Sequence, residues 1–294
     1  MNFFGTLVQA IIQGFTEFLP VSSSGHLSII QHLMGSKGAD DVFLSIMLHF
    51  GTLVAIFIAF WSTIKPLMID FVRMILKIFT GKFKASSLKG KERLILMLLL
   101  SLVPALVIVV FKDFFESFAA DSSIMVEGFC FLITAALLYF ASKTPEGKTE
   151  EKDIKPRQAL AVGASQILAA FPGVSRSGTT ISTGLFAGFK RELAVTYSFL
   201  LGVPAILAAG LSELLDVIKG DVPTIINSAG DVFTLLFCMA VSAVVGIISI
   251  KFVKMLVVSN KFKIFAYYTL CLGIVVIVIA IAEISMGHAF TPFG

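Results

Sequence analysis

The sequence predicts an all-α integral membrane protein with a single membrane domain. Its fold is an inverted-topology repeat in which each half is a re-entrant helical hairpin followed by three transmembrane helices. The 294 residues are 57% apolar and only 14% charged, with a mean hydropathy of +0.95, whereas soluble domains carry about 25% charged residues. The apolar residues form runs of about 17–25 residues, the length that crosses a hydrocarbon core. Two interrupted stretches that resemble each other each precede three such runs. This pattern excludes a soluble enzyme, a disordered chain and a secreted disulfide scaffold.

The first interrupted stretch covers roughly residues 7–33 and predicts two half-helices joined by irregular backbone. Its apolar sequence is broken by Gln13, Glu17, Pro20, the run Ser22-Ser23-Ser24-Gly25, and His26. Irregular backbone at membrane depth is tolerated only where protein or a water-filled cavity satisfies its polar groups. We therefore expect a re-entrant hairpin here rather than an ordinary span.

Three full crossings are predicted after this hairpin, at roughly 42–60, 94–111 and 124–141. Between the first two, residues 66–80 combine apolar side chains with charged ones at helical spacing. This pattern is typical of an amphipathic helix that lies in the membrane interface. The hairpin and its three spans make up repeat one, residues 1–142, and a charged loop at 143–157 follows.

The second interrupted stretch, at about 158–189, opens repeat two, which extends to residue 294. Its polar and helix-breaking residues are Gln166, Pro172-Gly173, Ser175-Arg176-Ser177-Gly178, and Thr179-Thr180. The apolar helix before the proline has only ~14 residues, or ~21 Å at 1.5 Å per residue, which is too short to cross. A second hairpin is therefore expected, followed by crossings at roughly 193–215, 232–250 and 264–284.

Most of the 23 lysines and arginines fall into four clusters, at 65–93, 143–157, 190–191 and 251–263. Short loops rich in Lys and Arg stay cytoplasmic, and the predicted spans place all four clusters on that side. This holds only if the second interrupted stretch enters and returns on one face. Because three crossings separate the hairpins, the two enter from opposite faces. The pI near 8.9 thus reflects topology, and no nucleic-acid partner is expected.

The hairpin tips carry the polar residues that could perform chemistry. Arg176 is the only Lys or Arg within either hairpin, and an arginine near the bilayer centre costs about 2.5–3.5 kcal/mol on insertion scales. It therefore needs a compensating anion, for which Glu17 is one candidate. The nearby hydroxyls, glycine N–H groups and half-helix N-termini also favour a phosphate.

Glu17 lies four residues after Gln13, so the two side chains share a helix face. A carboxylate beside an amide can hold a hard divalent cation together with phosphate oxygens. His26 can act as a general acid, a general base or a nucleophile, and Ser23 is a candidate hydroxyl nucleophile. These groups suit phosphoryl transfer, which requires mainly positioning and charge neutralisation.

The run EFLPVSSSGH, from Glu17 to His26, and the run PGVSRSG, from Pro172 to Gly178, resemble motifs of the bacterial undecaprenyl-diphosphate phosphatases, the bacitracin-resistance protein family. The resemblance covers essentially the whole chain. It implies hydrolysis of undecaprenyl diphosphate to undecaprenyl phosphate and inorganic phosphate. That reaction recycles the lipid carrier of peptidoglycan synthesis and confers bacitracin resistance. The resemblance also implies a divalent cation, Mg²⁺ or Ca²⁺, and a bacterial inner-membrane location with the site open to the outer face.

The resemblance also implies residue roles. The catalytic residues would be Glu17, Ser23, His26 and Arg176. The substrate-binding residues would be Ser22, Gly25, Ser175, Arg176, Ser177 and Gly178. The hydroxyl of Thr180, two residues beyond the second motif, is a further candidate from the sequence itself. The metal ligands would be Glu17 and Gln13, and because the family's (Glu/Gln)-x3-Glu motif has glutamine here, only one of them is a carboxylate. The resemblance leaves the nucleophile open between Ser23 and His26, and our hypothesis is that Ser23 attacks with His26 as its proton-transfer partner.

The expected partners are a polyprenyl diphosphate and membrane lipids, and a homodimer is among the oligomeric states that the sequence allows. The alternative function is a secondary transporter or flippase for a polyprenyl phosphate, because inverted repeats with broken helices are typical of transporters. The grouping of Ser, His, Arg and Glu favours bond cleavage instead.

Outside the tips, His32 and His49 are expected to be structural or interfacial. Glu127 and Glu283 are expected to be solvated near the ends of spans.

Overall fold

The structure, a computed structural model, describes residues 2–35, 39–81, 88, 90–119, 123–219, 226 and 228–287. This part of the chain is helical and contains no strand apart from an isolated bridge between Thr149 and Phe189. Short 3-10 helices cover Glu151–Asp153 and Leu168–Ala170. The α-helices are α1 Phe3–Thr16, α2 Ser23–Leu33, α3 Ala39–Ala59, α4 Trp61–Phe79, α5 Lys91–Val110, α6 Lys112–Ala119, α7 Met125–Lys143, α8 Pro156–Ser165, α9 Arg176–Phe186, α10 Arg191–Lys219, α11 Ala229–Val258 and α12 Lys263–Met286.

Among the described residues, five helices are long and apolar enough to cross a membrane: α5, α7, α10, α11 and α12. A sixth candidate is the pair formed by α3 and α4, which is bent by 91°. Each predicted crossing coincides with one of these helices. The prediction of an all-helical, multi-pass membrane protein is therefore confirmed.

The predicted amphipathic helix is present as α4, but it begins at Trp61 rather than at residue 66. Pro66 lies inside it, where a proline costs one backbone hydrogen bond. Ile64 and Leu67, on either side of the proline, are buried, and their packing extends the helix past it. The opposite face exposes apolar side chains, among them Val72 and Leu76, as a helix lying in the membrane interface would.

Both interrupted stretches form pairs of short helices, α1 with α2 and α8 with α9. The longest, α1, has 14 residues and a length of ~21 Å, so none of the four reaches across a hydrocarbon core of ~30 Å. The two second helices begin with the same cap. The Ser22 hydroxyl accepts a hydrogen bond from the N–H of Gly25 at 3.3 Å, and the Ser175 hydroxyl accepts one from the N–H of Gly178 at 3.0 Å. A serine N-cap satisfies an N–H group that the helix leaves unpaired.

The main apolar core surrounds the two bends. Phe18, in the first bend, is fully buried and packs edge-on against Phe199 of α10, with ring centroids 5.6 Å apart. Val21 and Ile181 belong to the same buried cluster. This packing holds the polar residues of the bends at fixed positions beside the core.

Candidate active site

The two bends touch each other. A Cβ atom added to Gly25 would lie 2.9 Å from the Cα atom of Gly173 and 2.6 Å from Cζ of Phe131. The Ser177 hydroxyl donates to the carbonyl oxygen of Leu19 at 3.1 Å. The two stretches that are similar in sequence therefore meet where Gly25 faces Gly173 and where Ser177 binds the backbone of Leu19. This contact brings their polar side chains together.

Glu17, 6% exposed, is the centre of the resulting cluster. Its Oε1 atom accepts a hydrogen bond from Nη2 of Arg176 at 2.7 Å. Its Oε2 atom accepts one from the hydroxyl of Ser23 at 2.8 Å and one from Nε2 of Gln13 at 3.0 Å. The structure thus brings four predicted site residues into one network, with the carboxylate between a guanidinium and a serine hydroxyl.

Arg176 is the first residue of α9, and its guanidinium lies against the backbone of α10. A Cβ atom added to Gly202 would lie 2.2 Å from Nη1 of Arg176, so the glycine leaves room for the side chain. A guanidinium has several N–H donors in a planar fork, and the bond to Glu17 uses one of them. The side chain of Arg176 is 20% exposed, so the protein does not fully enclose it.

The hydroxyls predicted to bind substrate have protein partners already. Ser22 and Ser175 are helix caps, and Ser177 bonds to Leu19. Thr180 donates to the carbonyl oxygen of Arg176 at 2.8 Å and lies 2.6 Å from the hydroxyl of Ser198. All four are buried. In this structure they shape the backbone around Glu17 and Arg176, with their hydroxyls directed at protein atoms.

His26 has a different partner from the one expected. Its Nδ1 atom lies 2.6 Å from the carbonyl oxygen of Ser22, and its Nε2 atom lies 2.7 Å from the hydroxyl of Tyr268 in α12. The described hydrogen bonds do not join Ser23 to His26, and the Ser23 hydroxyl donates to Glu17. The reason is geometric, because the bend before α2 carries the Ser23 hydroxyl back toward the end of α1.

Two residues at the site were missed by the sequence analysis. One is Tyr268, and the other is His49, whose Nε2 atom lies 3.5 Å from Oε2 of Glu17. The Nδ1 atom of His49 is 2.7 Å from the carbonyl oxygen of Ser45. The contacts of His49 with Glu17 and of Tyr268 with His26 join helices far apart in the chain, and no motif around position 49 or 268 points to them.

The expectation for two carboxylates outside the tips is wrong. Glu127 is 1% exposed and accepts a hydrogen bond from the Ser28 hydroxyl at 2.6 Å. Glu283 is 8% exposed and lies 2.6 Å from Nε2 of His32. Both were expected to be solvated because they lie near span ends in the sequence. In the fold, α2 packs over these positions of α7 and α12 and excludes solvent.

A divalent cation fits this donor set only together with a phosphate. The described residues contain no group of three or more His, Cys, Asp or Glu side chains arranged to hold a metal. Oε1 of Gln13 is buried and has no hydrogen-bond partner among them, and Glu17, which accepts a hydrogen bond from Nε2 of the same amide, supplies one carboxylate. Mg²⁺ is commonly bound by one or two carboxylates with the remaining ligands from substrate phosphates and water, and the site fits that kind of binding.

Comparison with known proteins shows the family. The family model for bacitracin resistance protein BacA matches residues 6–275. A protein of Alkaliphilus metalliredigens named undecaprenyl-diphosphatase is 37% identical over 284 residues, covering 96% of this chain and 100% of the relative. Proteins with the same name from Halothermothrix orenii and Methanosphaera stadtmanae are 36% and 34% identical, each over 99% of its own length. Because the match runs through both bends and nearly all spans, the chain belongs to the bacitracin resistance protein BacA family.

Proposed function

We propose that the protein hydrolyses undecaprenyl diphosphate to undecaprenyl phosphate and inorganic phosphate. The reaction would recycle the lipid carrier of cell-wall synthesis and confer resistance to bacitracin. The activity is the one named for relatives that match this chain along their whole length. The structural observation that carries the proposal is the Glu17 carboxylate, which accepts a hydrogen bond from Ser23 through one oxygen and from Arg176 through the other.

In the first step, the Ser23 hydroxyl oxygen attacks the terminal phosphorus and its proton passes to Oε2 of Glu17. The bond from phosphorus to the bridging oxygen breaks, and undecaprenyl phosphate leaves with the electron pair. The 2.8 Å bond from Ser23 to Glu17 supports Ser23 as the nucleophile, since the carboxylate is within reach of the proton it must accept.

In the second step, water attacks the phosphoserine and releases inorganic phosphate. Glu17 returns its proton to the departing Ser23 oxygen, and His26 takes up the proton of the water. His26 lies one helical turn after Ser23 in α2, so the two residues are neighbours on the helix surface. Arg176 stabilises the charge that spreads over the phosphoryl oxygens during both displacements.

A divalent cation completes the proposed site. Glu17 and Oε1 of Gln13 would hold it against the phosphates of the substrate. When bound, it supplies charge neutralisation for the diphosphate. The Gln13 oxygen, which is buried and has no hydrogen-bond partner in the described part of the chain, supports this assignment.

The proposed topology is an inverted repeat with two re-entrant hairpins, α1–α2 and α8–α9, that enter from opposite faces of the inner membrane. The short helices and the matching serine caps support it. The site would open toward the outer face, where the polyprenyl diphosphate enters sideways from the bilayer with its tail among the spans. Most basic residues would then lie in cytoplasmic loops.

Release of inorganic phosphate by the purified protein tests the function directly. We expect release from undecaprenyl diphosphate by the wild type and a loss of about a thousandfold or more in Ser23→Ala, as when a nucleophile is removed. Ser24→Ala is the matched control, because Ser24 is exposed and adjacent. The transporter alternative, which the broken helices favour, predicts movement of polyprenyl phosphate across liposomes without phosphate release. That result would overturn the enzymatic proposal. Full activity of Ser23→Ala would overturn the assignment of Ser23 as the nucleophile.

A further inference from the structure

Tyr268 lies at the edge of the site. In the described hydrogen-bond network, His26 is the site residue that it contacts. Its hydroxyl is 2.7 Å from Nε2 of His26. The two rings are stacked, with centroids 5.7 Å apart and an interplanar angle of 10°. Stacking and hydrogen bonding together fix the position of one ring relative to the other.

The partner of Nδ1, the second ring nitrogen of His26, determines which atom donates in the hydrogen bond between His26 and Tyr268. The carbonyl oxygen of Ser22, 2.6 Å from Nδ1, can only accept, so Nδ1 carries the proton. In a neutral imidazole Nε2 is then an acceptor, and the Tyr268 hydroxyl donates to it. Tyr268 therefore stands between the basic nitrogen of His26 and any water that would give up its proton.

Tyr268 is also accessible, with 48% of its surface exposed. The rest of the protein therefore leaves about half of this residue uncovered. The preceding residue, Tyr267, is 52% exposed, but it points about 100° away around α12. The helix thus offers two equally exposed tyrosines, of which Tyr268 has the hydrogen bond to His26.

We propose that Tyr268 is a further catalytic residue, a proton relay between the attacking water and His26. As the oxygen of water bonds to phosphorus, its proton passes to the Tyr268 oxygen while the Tyr268 proton passes to Nε2 of His26. Tyr268 ends neutral, and His26 becomes the imidazolium, which later returns the proton to solvent. This inference rests on the proposed function, because it assigns a role in the second step.

Phosphate release by Tyr268→Phe and Tyr267→Phe, measured over a range of substrate concentrations, tests the relay. We expect kcat to fall about 100-fold in Tyr268→Phe with KM within about twofold, at the lower end of general acid–base contributions. Tyr267→Phe should stay within about twofold of the wild type. Near-normal kcat in Tyr268→Phe, or an equal loss in both variants, would overturn the relay.

Two further measurements separate a relay from a packing role. In the double variant His26→Gln/Tyr268→Phe, the loss should be no larger than in His26→Gln alone, because residues that act as a unit are not additive. A loss in the double variant equal to the product of the two single-variant losses would overturn the proposal. Nitrogen-15 histidine NMR should show the Nδ1–H tautomer for His26 in the wild type and a shifted Nε2 resonance in Tyr268→Phe. An unchanged Nε2 resonance would show that Tyr268 does not form the hydrogen bond to His26. If the wild type releases no phosphate, the proposed function fails, and the NMR result still decides whether the Tyr268–His26 bond exists.

Discussion

At the scale of single residues, the Glu17–Arg176 pair has a structural role and a proposed chemical one, and the two can be separated. Breaking a buried ion pair by removing one partner costs about 3–5 kcal/mol, whereas replacing both partners by apolar residues is often neutral. Arg176 is partly exposed, so the lower end of that range applies. The stability cost and the loss of activity should therefore respond differently to single and double substitution.

We expect Arg176→Met to lower both thermal stability and kcat/KM, the latter by about a hundredfold or more, since a positive charge facing the transition state is lost. The double variant Glu17→Leu/Arg176→Met should regain most of the stability, because no unpaired charge remains buried. It should stay inactive. Thermal unfolding and phosphate release check the two parts, and recovery of activity in the double variant would show that the pair is purely structural.

Gln13 offers a test of the cation site at the same scale. Gln13→Glu replaces the hydrogen bond from Nε2 to Glu17, 3.0 Å long, by two adjacent carboxylates that repel each other. A divalent cation relieves this repulsion, so the variant should bind Mg²⁺ or Ca²⁺ about tenfold more tightly than the wild type. Titration of thermal stability with each cation, in the presence of inorganic phosphate to supply the remaining oxygen ligands, measures this effect. Gln13→Leu is the control and should gain nothing from the cation.

At the scale of elements, the contact between the bends depends on glycine. Gly25→Ala would place a methyl group 2.6 Å from the Phe131 ring and 2.9 Å from the backbone of Gly173, so α2 must shift away from the second bend. We expect a loss of about 1–3 kcal/mol in unfolding free energy, as for an overpacked core, and reduced activity. Gly230→Ala is the control, because its methyl group would meet only an ordinary contact, 3.5 Å from the Ser228 hydroxyl. Equal stability of both variants would contradict this close contact.

The elements also show what the sequence could and could not predict. Hydropathy located five of the six predicted crossings to within about four residues at each end, because a long apolar run is a strong local signal. The sixth, α11, continues to Val258, eight residues past its predicted end at residue 250. The serine, glycine and proline runs located both bends, since those residues interrupt helices by their own backbone chemistry. The start of α4 was missed because burial of Ile64 and Leu67 overrides the local effect of Pro66. His49 and Tyr268 were missed as site residues because their contacts depend on packing between distant helices.

At the scale of the whole molecule, the proposed topology makes the ends of each hairpin lie on one face. Single cysteines can be introduced into a variant whose three native cysteines are replaced by serine. Met34 and the exposed Phe4 flank the first hairpin, and Arg157 and the exposed Lys190 flank the second. Each introduced cysteine reports the side of the membrane on which it lies. Phe4→Cys and Met34→Cys should react with an impermeant maleimide in intact cells. Arg157→Cys and Lys190→Cys should react only after permeabilisation.

The outcome for each pair is decisive because a full crossing would separate its two members. Arg157 and Lys190 flank the second hairpin, and both follow the positive-inside rule only if α8 and α9 return to the cytoplasm. If one of them were labelled from outside, the second stretch would cross the bilayer, and Arg176 would then lie in a continuous span. The same reasoning applies to Phe4 and Met34. In the proposed topology, opposite entry of the two hairpins is what would bring Arg176 to Glu17 inside the membrane, so this labelling pattern tests the architecture on which the proposed chemistry depends.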